Sequence, residues 1–259
     1  MNKKSSNVII ASIAGHDPTS GAGIVADALR IAREAAHPIT VITALTAQST
    51  RGVSRVAPVP PREFRAALRE ILRDMKPKMI KTGLIPTEQH VKIIANETPD
   101  NIPFVVDPVI ASSGGFLFIN ERGLRAICKL LFPRAAIITP NLEEADLLTG
   151  VCAHESGGVR RAAELLYQMG PRAVLIKGGH SQGRVVTDSL FDGKRMIELR
   201  GSRIGSGAHG TGCALSAILA ARLGSGDGLI AAVRAARRRI RSDLQSASSP
   251  GSGRPLLGL

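Results

Sequence analysis

Aromatic residues are scarce in this chain: no Trp, one Tyr and six Phe among 259 residues. Proteins that stack nucleic-acid bases need aromatic platforms. The shortage therefore argues against the nucleic-acid partner that a formal charge of +13 would suggest. Acidic residues are few as well, 21 against 34 Lys plus Arg, and a positive field equally suits a protein that handles nucleotide phosphates. Cysteine is sparse and odd in number. Cys128, Cys152 and Cys213 include no CxxC pair, which argues against a disulfide framework and structural zinc and fits a reducing cytoplasm. No run approaches the roughly 20 apolar residues of a membrane helix. Met1 to Asn7 lacks the apolar core and cleavage site of a signal peptide. The expectation is a soluble, unexported protein with no membrane partner.

What is present is a core-forming sequence, 44% hydrophobic, in which strand and helix patterns alternate. Short apolar runs such as Val8–Ala14, Ile39–Leu45, Phe104–Val106 and Ala173–Lys177 read as buried strands. Between them lie helical stretches, including Ile24–Ala35, Pro61–Met75 with Pro61 in its first turn, and Glu121–Leu131. Val185–Phe191 and Met196–Leu199 flank Asp192-Gly193 and predict a hairpin. Two helices, about Gly212–Arg222 and Asp227–Gln245, close the pattern. The arginine cluster Arg234–Arg241 is interleaved with Ala and Ile and reads as the solvated face of the last helix. The order predicts one α/β/α domain over 1–259 with a largely parallel sheet, and a Ser/Gly/Pro-rich tail, about 246–259, that frays. In such folds ligands gather at the carboxyl ends of the strands.

The segment His209-Gly210-Thr211-Gly212-Cys213 opens an Ala-rich helix. A Gly-Thr-Gly turn there presents unpaired backbone N–H groups at the positive end of the helix dipole, a place for a phosphate or for charge on a phosphoryl group in transfer. Cys213 falls in the first turn, where the dipole is expected to lower its thiol pKa and let it accept a proton from an alcohol. The bland alternative is a Gly-rich helix start with a buried Cys. Asp17 and Asn141 could likewise be a turn residue and a helix cap, and Asp27 and Glu144 ordinary helix acids. Two lookalike motifs fail on context. Gly21 to Ala26 satisfies G-x-G-x-x-A but lies far from the strand end with no acid placed for a ribose. Gly179 to Gly183 satisfies G-x-S-x-G, but a strand-like rather than helical stretch follows it. There is no G-x-x-x-x-G-K-[ST], which excludes a P-loop kinase at the motif level.

Taken in order, AGHDPTSGAGIVAD (Ala14–Asp27), VITALTAQST (Val41–Thr50), KTGL (Lys81–Leu84), VDPVIASSG (Val106–Gly114), TPNLEEADLL (Thr139–Leu148), LIKGGH (Leu175–His180), DSLFDG (Asp188–Gly193) and HGTGC resemble the hydroxymethylpyrimidine/phosphomethylpyrimidine kinases. The resemblance runs from Val8 to about Ser242. It implies a ribokinase-like three-layer α/β/α fold, ATP and Mg2+ as cofactors, a homodimer, and a place in thiamine pyrophosphate synthesis. It implies that Gln48 and Asp27 hydrogen-bond an aminopyrimidine, with Gly15, Leu84 and Val109 around it. Cys213 then matches the catalytic base, and Gly210, Thr211 and Gly212 the anion hole. Asp107 and Glu144 match the acids that hold Mg2+ through water, and Lys177, Asn141 and Thr211 the nucleotide contacts. Two departures stand out: Leu84 where the family usually carries Met, and a loop at Gly205–Ala208 one residue shorter than usual. A pyridoxal kinase of the same fold, or a basic binding protein without catalysis, are the alternative readings.

Overall fold

The computed structural model describes residues 8–112, 114–179, 183–205 and 207–258. The strands are β1 (Ile9–His16), β2 (His37–Ser49), β3 (Gly52–Pro58), β4 (Met79–Thr82), β5 (Phe104–Val106), β6 (Ala135–Ile138), β7 (Val174–Ile176), β8 (Val185–Phe191) and β9 (Met196–Ser202). They form one sheet in the order β3-β2-β1-β4-β5-β6-β7-β8-β9. Strands β2, β1, β4, β5, β6 and β7 pair in parallel, while β3 at one edge and β8–β9 at the other are antiparallel. The parallel strands read as unbroken apolar runs because both faces are covered.

Helices α2 (Pro61–Asp74), α3 (Glu88–Glu97), α4 (Glu121–Leu130), α5 (Leu142–Thr149) and α6 (Gly158–Gln168) bury their apolar residues in one core, around Phe64, Leu68, Phe104 and Phe132. Helices α1 (Gly23–Arg33), α7 (Thr211–Gly224) and α8 (Leu229–Gln245) close the other face through Ile31, the Leu215–Ala221 stretch, Val233 and Ala236. This is the ribokinase-like three-layer α/β/α arrangement. Helix α2 shows the usual one-sided pattern, with only Phe64 and Leu68 fully inside. Helix α7 does not. Every residue from Ala214 to Ala221 is buried, because the sheet, α1 and α8 all pack on it. Four alanines and a serine in that stretch let the helix lie close to the strands, and so fix where its first turn points.

Two sequence expectations change, and one strand carries no sequence signal. The segment Gly52–Pro58 is a strand, paired with Ala44–Ser49. Being mostly exposed at an edge, it carries no apolar run that a pattern search would register. The tail expected to fray has partners: Arg254 N–H donates to the Thr50 carbonyl, His209 N–H to that of Pro255, Ser248 and Leu256 bond each other, and Leu257 is buried. Its Ser/Gly/Pro composition excluded helix and strand but not docking through backbone groups and two leucines. The basic face of α8 is only partly solvated. Arg234 and Arg238 are exposed, but Arg237 pairs with Asp188 at 2.7 Å and Arg241 donates to the Ser202 carbonyl at 2.6 Å. No helix among the described residues is long and apolar enough to cross a membrane.

Candidate active site

The carboxyl ends of β1, β2, β4, β5, β6 and β7 point to one end of the sheet, where a cavity of about 770 Å³ opens. Gly15, Gln48, Leu84, Asp107, Val109, Asn141, Glu144, Lys177, Gly210, Thr211, Gly212 and Cys213 all line it. Of the expected site residues only Asp27 does not.

The α7 end comes first. Gly210 is the N-cap of α7 with φ 87°, so Thr211, Gly212 and Cys213 form a first turn whose N–H groups have no helical partner. Gly212 packs against Lys177: a Cβ built on it would lie 3.2 Å from the Lys177 Nζ. Lys177 donates to Asp107 Oδ1 at 2.7 Å and stands 4.0 Å from Glu144 Oε2. Asp107 is further held by the hydroxyls of Thr139 at 3.1 Å and Ser216 at 3.3 Å. Burial pushes its carboxyl up, but Lys177 and Lys81 outweigh that and hold it below its ordinary value. Glu144 goes the other way. Burial raises it to about 7, with Lys177 opposing and Asp107 adding to the rise.

Asn141 and Glu144 carry a structural duty that the sequence offered as the bland alternative. They form a capping box on α5: Glu144 N–H donates to Asn141 Oδ1 at 2.7 Å, and Asn141 N–H to Glu144 Oε2 at 2.8 Å. Both still face the cavity. Asp107 and Glu144 are the carboxylates of the cavity near Lys177 that could hold a hard divalent cation, carboxylate oxygens being its preferred ligands. Asp107 already accepts from three side chains, so a cation would meet it through water more readily than directly. Among the described residues no group of three His, Cys, Asp or Glu gathers as a metal cluster.

Cys213 departs from expectation in its chemistry. Burial pushes its thiol up to about 11, Lys81 opposes, Asp107 and Asp27 add to the rise, and an N–H bond from Gly23 to the sulfur opposes it again. The dipole at a helix start favours the thiolate, but desolvation is the larger effect here. Cys128 and Cys152 are likewise unpaired thiols.

Beside the start of α7, Asp17 and His209 tie the β1 loop to the residue before Gly210. His209 Nε2 lies 2.7 Å from Asp17 Oδ2, and the side-chain amide of Gln48 lies 2.9 Å from the same nitrogen. Asp17 also accepts from Thr19 N–H at 2.9 Å, Thr19 Oγ1 at 2.8 Å and Ala22 N–H at 3.1 Å. Burial raises the Asp17 carboxyl, yet these bonds win and hold it below its ordinary value. The sequence offered Asp17 as a turn residue, and it is one. Its pairing with His209, 192 positions away, was not legible.

Asp27 requires a correction. It is fully buried beneath the cavity, with Oδ2 accepting from Lys81 Nζ at 2.7 Å and Ser12 Oγ at 2.6 Å. Its Oδ1 is buried without a partner. The sequence set it on α1 without revealing that its face of the helix meets β1 and β4. Lys81 stands within KTGL, where the sequence gives no sign that it pairs with Asp27. Arg51, Arg203, Arg237, Arg241 and Arg254 also line the cavity, and only the general excess of basic residues hinted at them. The shortened loop includes Ser206, and the G-x-S-x-G lookalike includes 180–182; these lie outside the described residues. Strand β8 begins at Val185 just beyond, where the hydrolase elbow would need a helix.

Comparison with known proteins adds to this geometry. The sequence profile of the family described as Phosphomethylpyrimidine kinase matches residues 17–256. The chain is 38% identical over 242 residues to the hydroxymethylpyrimidine/phosphomethylpyrimidine kinase of Rhizobium meliloti, covering 92% of this chain and 91% of that one. It is 39% identical to the chloroplastic thiamine biosynthetic bifunctional enzyme TH1 of Arabidopsis thaliana, over 91% of this chain and 46% of the plant protein; the chain spans about half of that relative's length. Among solved structures, the pyridoxal kinase from Staphylococcus aureus in complex with AMP-PCP and pyridoxal superposes with a TM-score of 0.89 at 28% identity, covering 97% of this chain and 93% of that one.

Proposed function

We propose, given that the chain belongs to the phosphomethylpyrimidine kinase family, that its cavity transfers the γ-phosphoryl group of ATP to 4-amino-5-hydroxymethyl-2-methylpyrimidine, and then to the resulting monophosphate. The enzyme is a small-molecule kinase acting in thiamine pyrophosphate synthesis. One observation carries the assignment: Cys213 at the α7 N-terminus, Lys177 and Asp107 line the same cavity as Gly15 and Gln48.

Gln48 offers an amide to the ring edge, and Gly15, Leu84 and Val109 shape the walls about it. The hydroxymethyl group then faces Cys213. Backbone N–H groups of Thr211, Gly212 and Cys213, with Lys177 against Gly212, face the charge on the moving phosphoryl group. Asp107 and Glu144 are the residues that would hold Mg2+, which supplies neutralising charge between the phosphates when bound. Because the resting thiol sits near 11, Cys213 can accept the alcohol proton only once nearby positive charge has favoured its thiolate. We assign Asp27 a supporting place rather than a ring contact, since it lies under the cavity. By the same family reasoning the enzyme forms a homodimer of one kinase domain per chain. It works in the cytoplasm, a compartment that three unpaired cysteines suit.

Pyridoxal is the second substrate to weigh, because the pyridoxal kinase superposes closely and Gln48 could serve either ring. Turnover of ATP to ADP with Mg2+ decides between them, with hydroxymethylpyrimidine and pyridoxal offered in parallel and Cys213→Ala as control. The expected result is turnover on the pyrimidine, reduced about 10²–10⁴-fold in the variant. Turnover on pyridoxal alone would overturn the substrate; none on either would overturn the enzymatic reading in favour of a binding protein.

A further inference from the structure

Gln48 stands where the β2–β3 ladder slips: Ala47 pairs with Arg55, and Gln48 with Val53. Such a bulge re-aims a side chain, and Gln48 lines the cavity. Its amide meets two partners there. One end lies 2.9 Å from His209 Nε2, and the other lies 3.3 Å from Thr46 Oγ1. An amide can face such partners either way round, and the partners' own hydrogens decide which.

Both partners give the same answer. His209 Nε2 lies 2.7 Å from Asp17 Oδ2. An ionised carboxylate only accepts, and Asp17 is held below its ordinary value. Nε2 therefore carries a hydrogen, whether the ring is neutral or charged. It cannot also accept from an amide nitrogen, so it faces the Gln48 oxygen and shares its hydrogen between that oxygen and Asp17. At the other end, the single hydroxyl hydrogen of Thr46 goes to the His16 carbonyl at 2.9 Å. Thr46 Oγ1 is then an acceptor toward Gln48, and the amide nitrogen faces it. One amide hydrogen is used there, and the second is left for the cavity.

The ring that imposes this order is itself clamped. His209 N–H donates to the Pro255 carbonyl at 2.8 Å, and His209 forms a β-bridge with Leu256 of the tail. A Cβ on Gly21 would lie 2.9 Å from His209 Cδ2 and 2.8 Å from Leu256 Cδ2, so both side chains press on the Gly21 loop. Asp17 is fixed in turn by the N–H groups of Thr19 and Ala22. The tail also reaches the turn that follows Gln48, where Gly253 N–H donates to Thr50 Oγ1 at 3.1 Å.

We propose that His209 is a positioning residue for the acceptor: oriented by Asp17 and by Pro255 and Leu256, its Nε2–H holds the Gln48 oxygen, so that Gln48 offers the cavity an N–H and reads a ring-nitrogen lone pair. An aminopyrimidine carries both an amino donor and ring-nitrogen acceptors. A freely turning amide could pair with either, and the held amide pairs with one.

This inference rests on Gln48 contacting the acceptor, and two measurements keep the two readings apart. In the whole protein without ligand, heteronuclear NMR of the His and Gln side chains should show a hydrogen on His209 Nε2. The Gln48 amide signals should move in His209→Phe. A bare Nε2 in the wild type, or Gln48 signals that the variant leaves unmoved, would overturn the proposal with no substrate involved. If His209→Phe fails to fold, the wild-type ring and the same Gln48 signals in Asp17→Asn decide. Calorimetric titration of 4-amino-5-hydroxymethyl-2-methylpyrimidine then reads binding. His209→Phe should weaken it about tenfold in the wild-type background and no further in Gln48→Ala. His209→Gln, which keeps an N–H donor on a side chain of similar reach, should restore most of the loss. Equal losses in both backgrounds would show a general structural defect and overturn the proposal. Should the wild type bind no pyrimidine while the Gln48 signals still follow His209, the substrate reading fails and the hold of His209 on Gln48 stands.

Discussion

Replacing Gly210 with Ala should disable the site by moving backbone, with no chemical group removed. Gly210 caps α7 at φ 87°, and a Cβ there would lie 1.7 Å from the carbonyl oxygen of Gly21 and 2.7 Å from its carbon. Left-handed backbone costs an L-residue about 1–2 kcal/mol, partly offset by about 0.4–1 kcal/mol from the stiffer unfolded chain. The clash is larger. Real Cβ contacts essentially never fall under 3.0 Å, so one of two backbone segments must retreat by more than about 1 Å, and a shift of that size at a reacting site costs about 10²-fold in rate. Gly157→Ala is the matched control. It also caps a helix at positive φ, 72°, but nothing lies within 4 Å of its added Cβ. At about 2–4 °C of Tm per kcal/mol for a chain near this size, Gly157→Ala should lose a few degrees and keep its kcat/KM. Gly210→Ala should lose more in thermal scans and about 10²-fold in kcat/KM. Equal Tm losses with equal, unimpaired activity would refute the claim that contact between Gly210 and the Gly21 loop sets the anion hole.

The remaining predictions concern the edges of the site. Truncation after Ala247 should remove the burial of Leu257 and most of Leu256, worth about 2–3 kcal/mol, and lower Tm by several degrees; an unchanged melt would mean the tail frays after all. Asp17→Asn should cost about 1–2 kcal/mol at neutral pH, because charge-assisted bonds from Thr19, Ala22 and His209 weaken. The folded carboxyl lies below its unfolded value of 3.8, so its contribution is present above that value and is lost as pH falls through the folded one. Urea midpoints of wild type and variant should therefore converge in acid, and a constant gap would contradict the assignment. Lys177→Ala should weaken ATP binding and lower kcat together, since it removes the cation beside Gly212 and leaves Asp107 buried without its ion pair. Calorimetric titration of ATP would read the binding part, and unaltered affinity would count against a nucleotide role.

Much of this molecule was present in its sequence. Short apolar runs alternating with amphipathic helical stretches favour covered parallel strands, and Phe104–Val106 and Val174–Ile176 follow that pattern. The capping residues Asn120, Asn141 and Thr87 sit where their side-chain chemistry places them. The Gly-Thr-Gly start of α7 was local too, and so was legible. What depended on tertiary structure was everything set by a residue's surroundings over long separations. Asp27 reads as a helix acid until β4 brings Lys81 beneath it. His209 reads as part of a motif until the β1 loop brings Asp17 to its ring. Cys213 reads as an acidified thiol until the segments that meet around it in the folded chain desolvate its sulfur. Helix propensity, capping and periodicity act within a few residues and survive in the sequence. Desolvation and charge pairing depend on which segments meet, and here only the folded chain decides that.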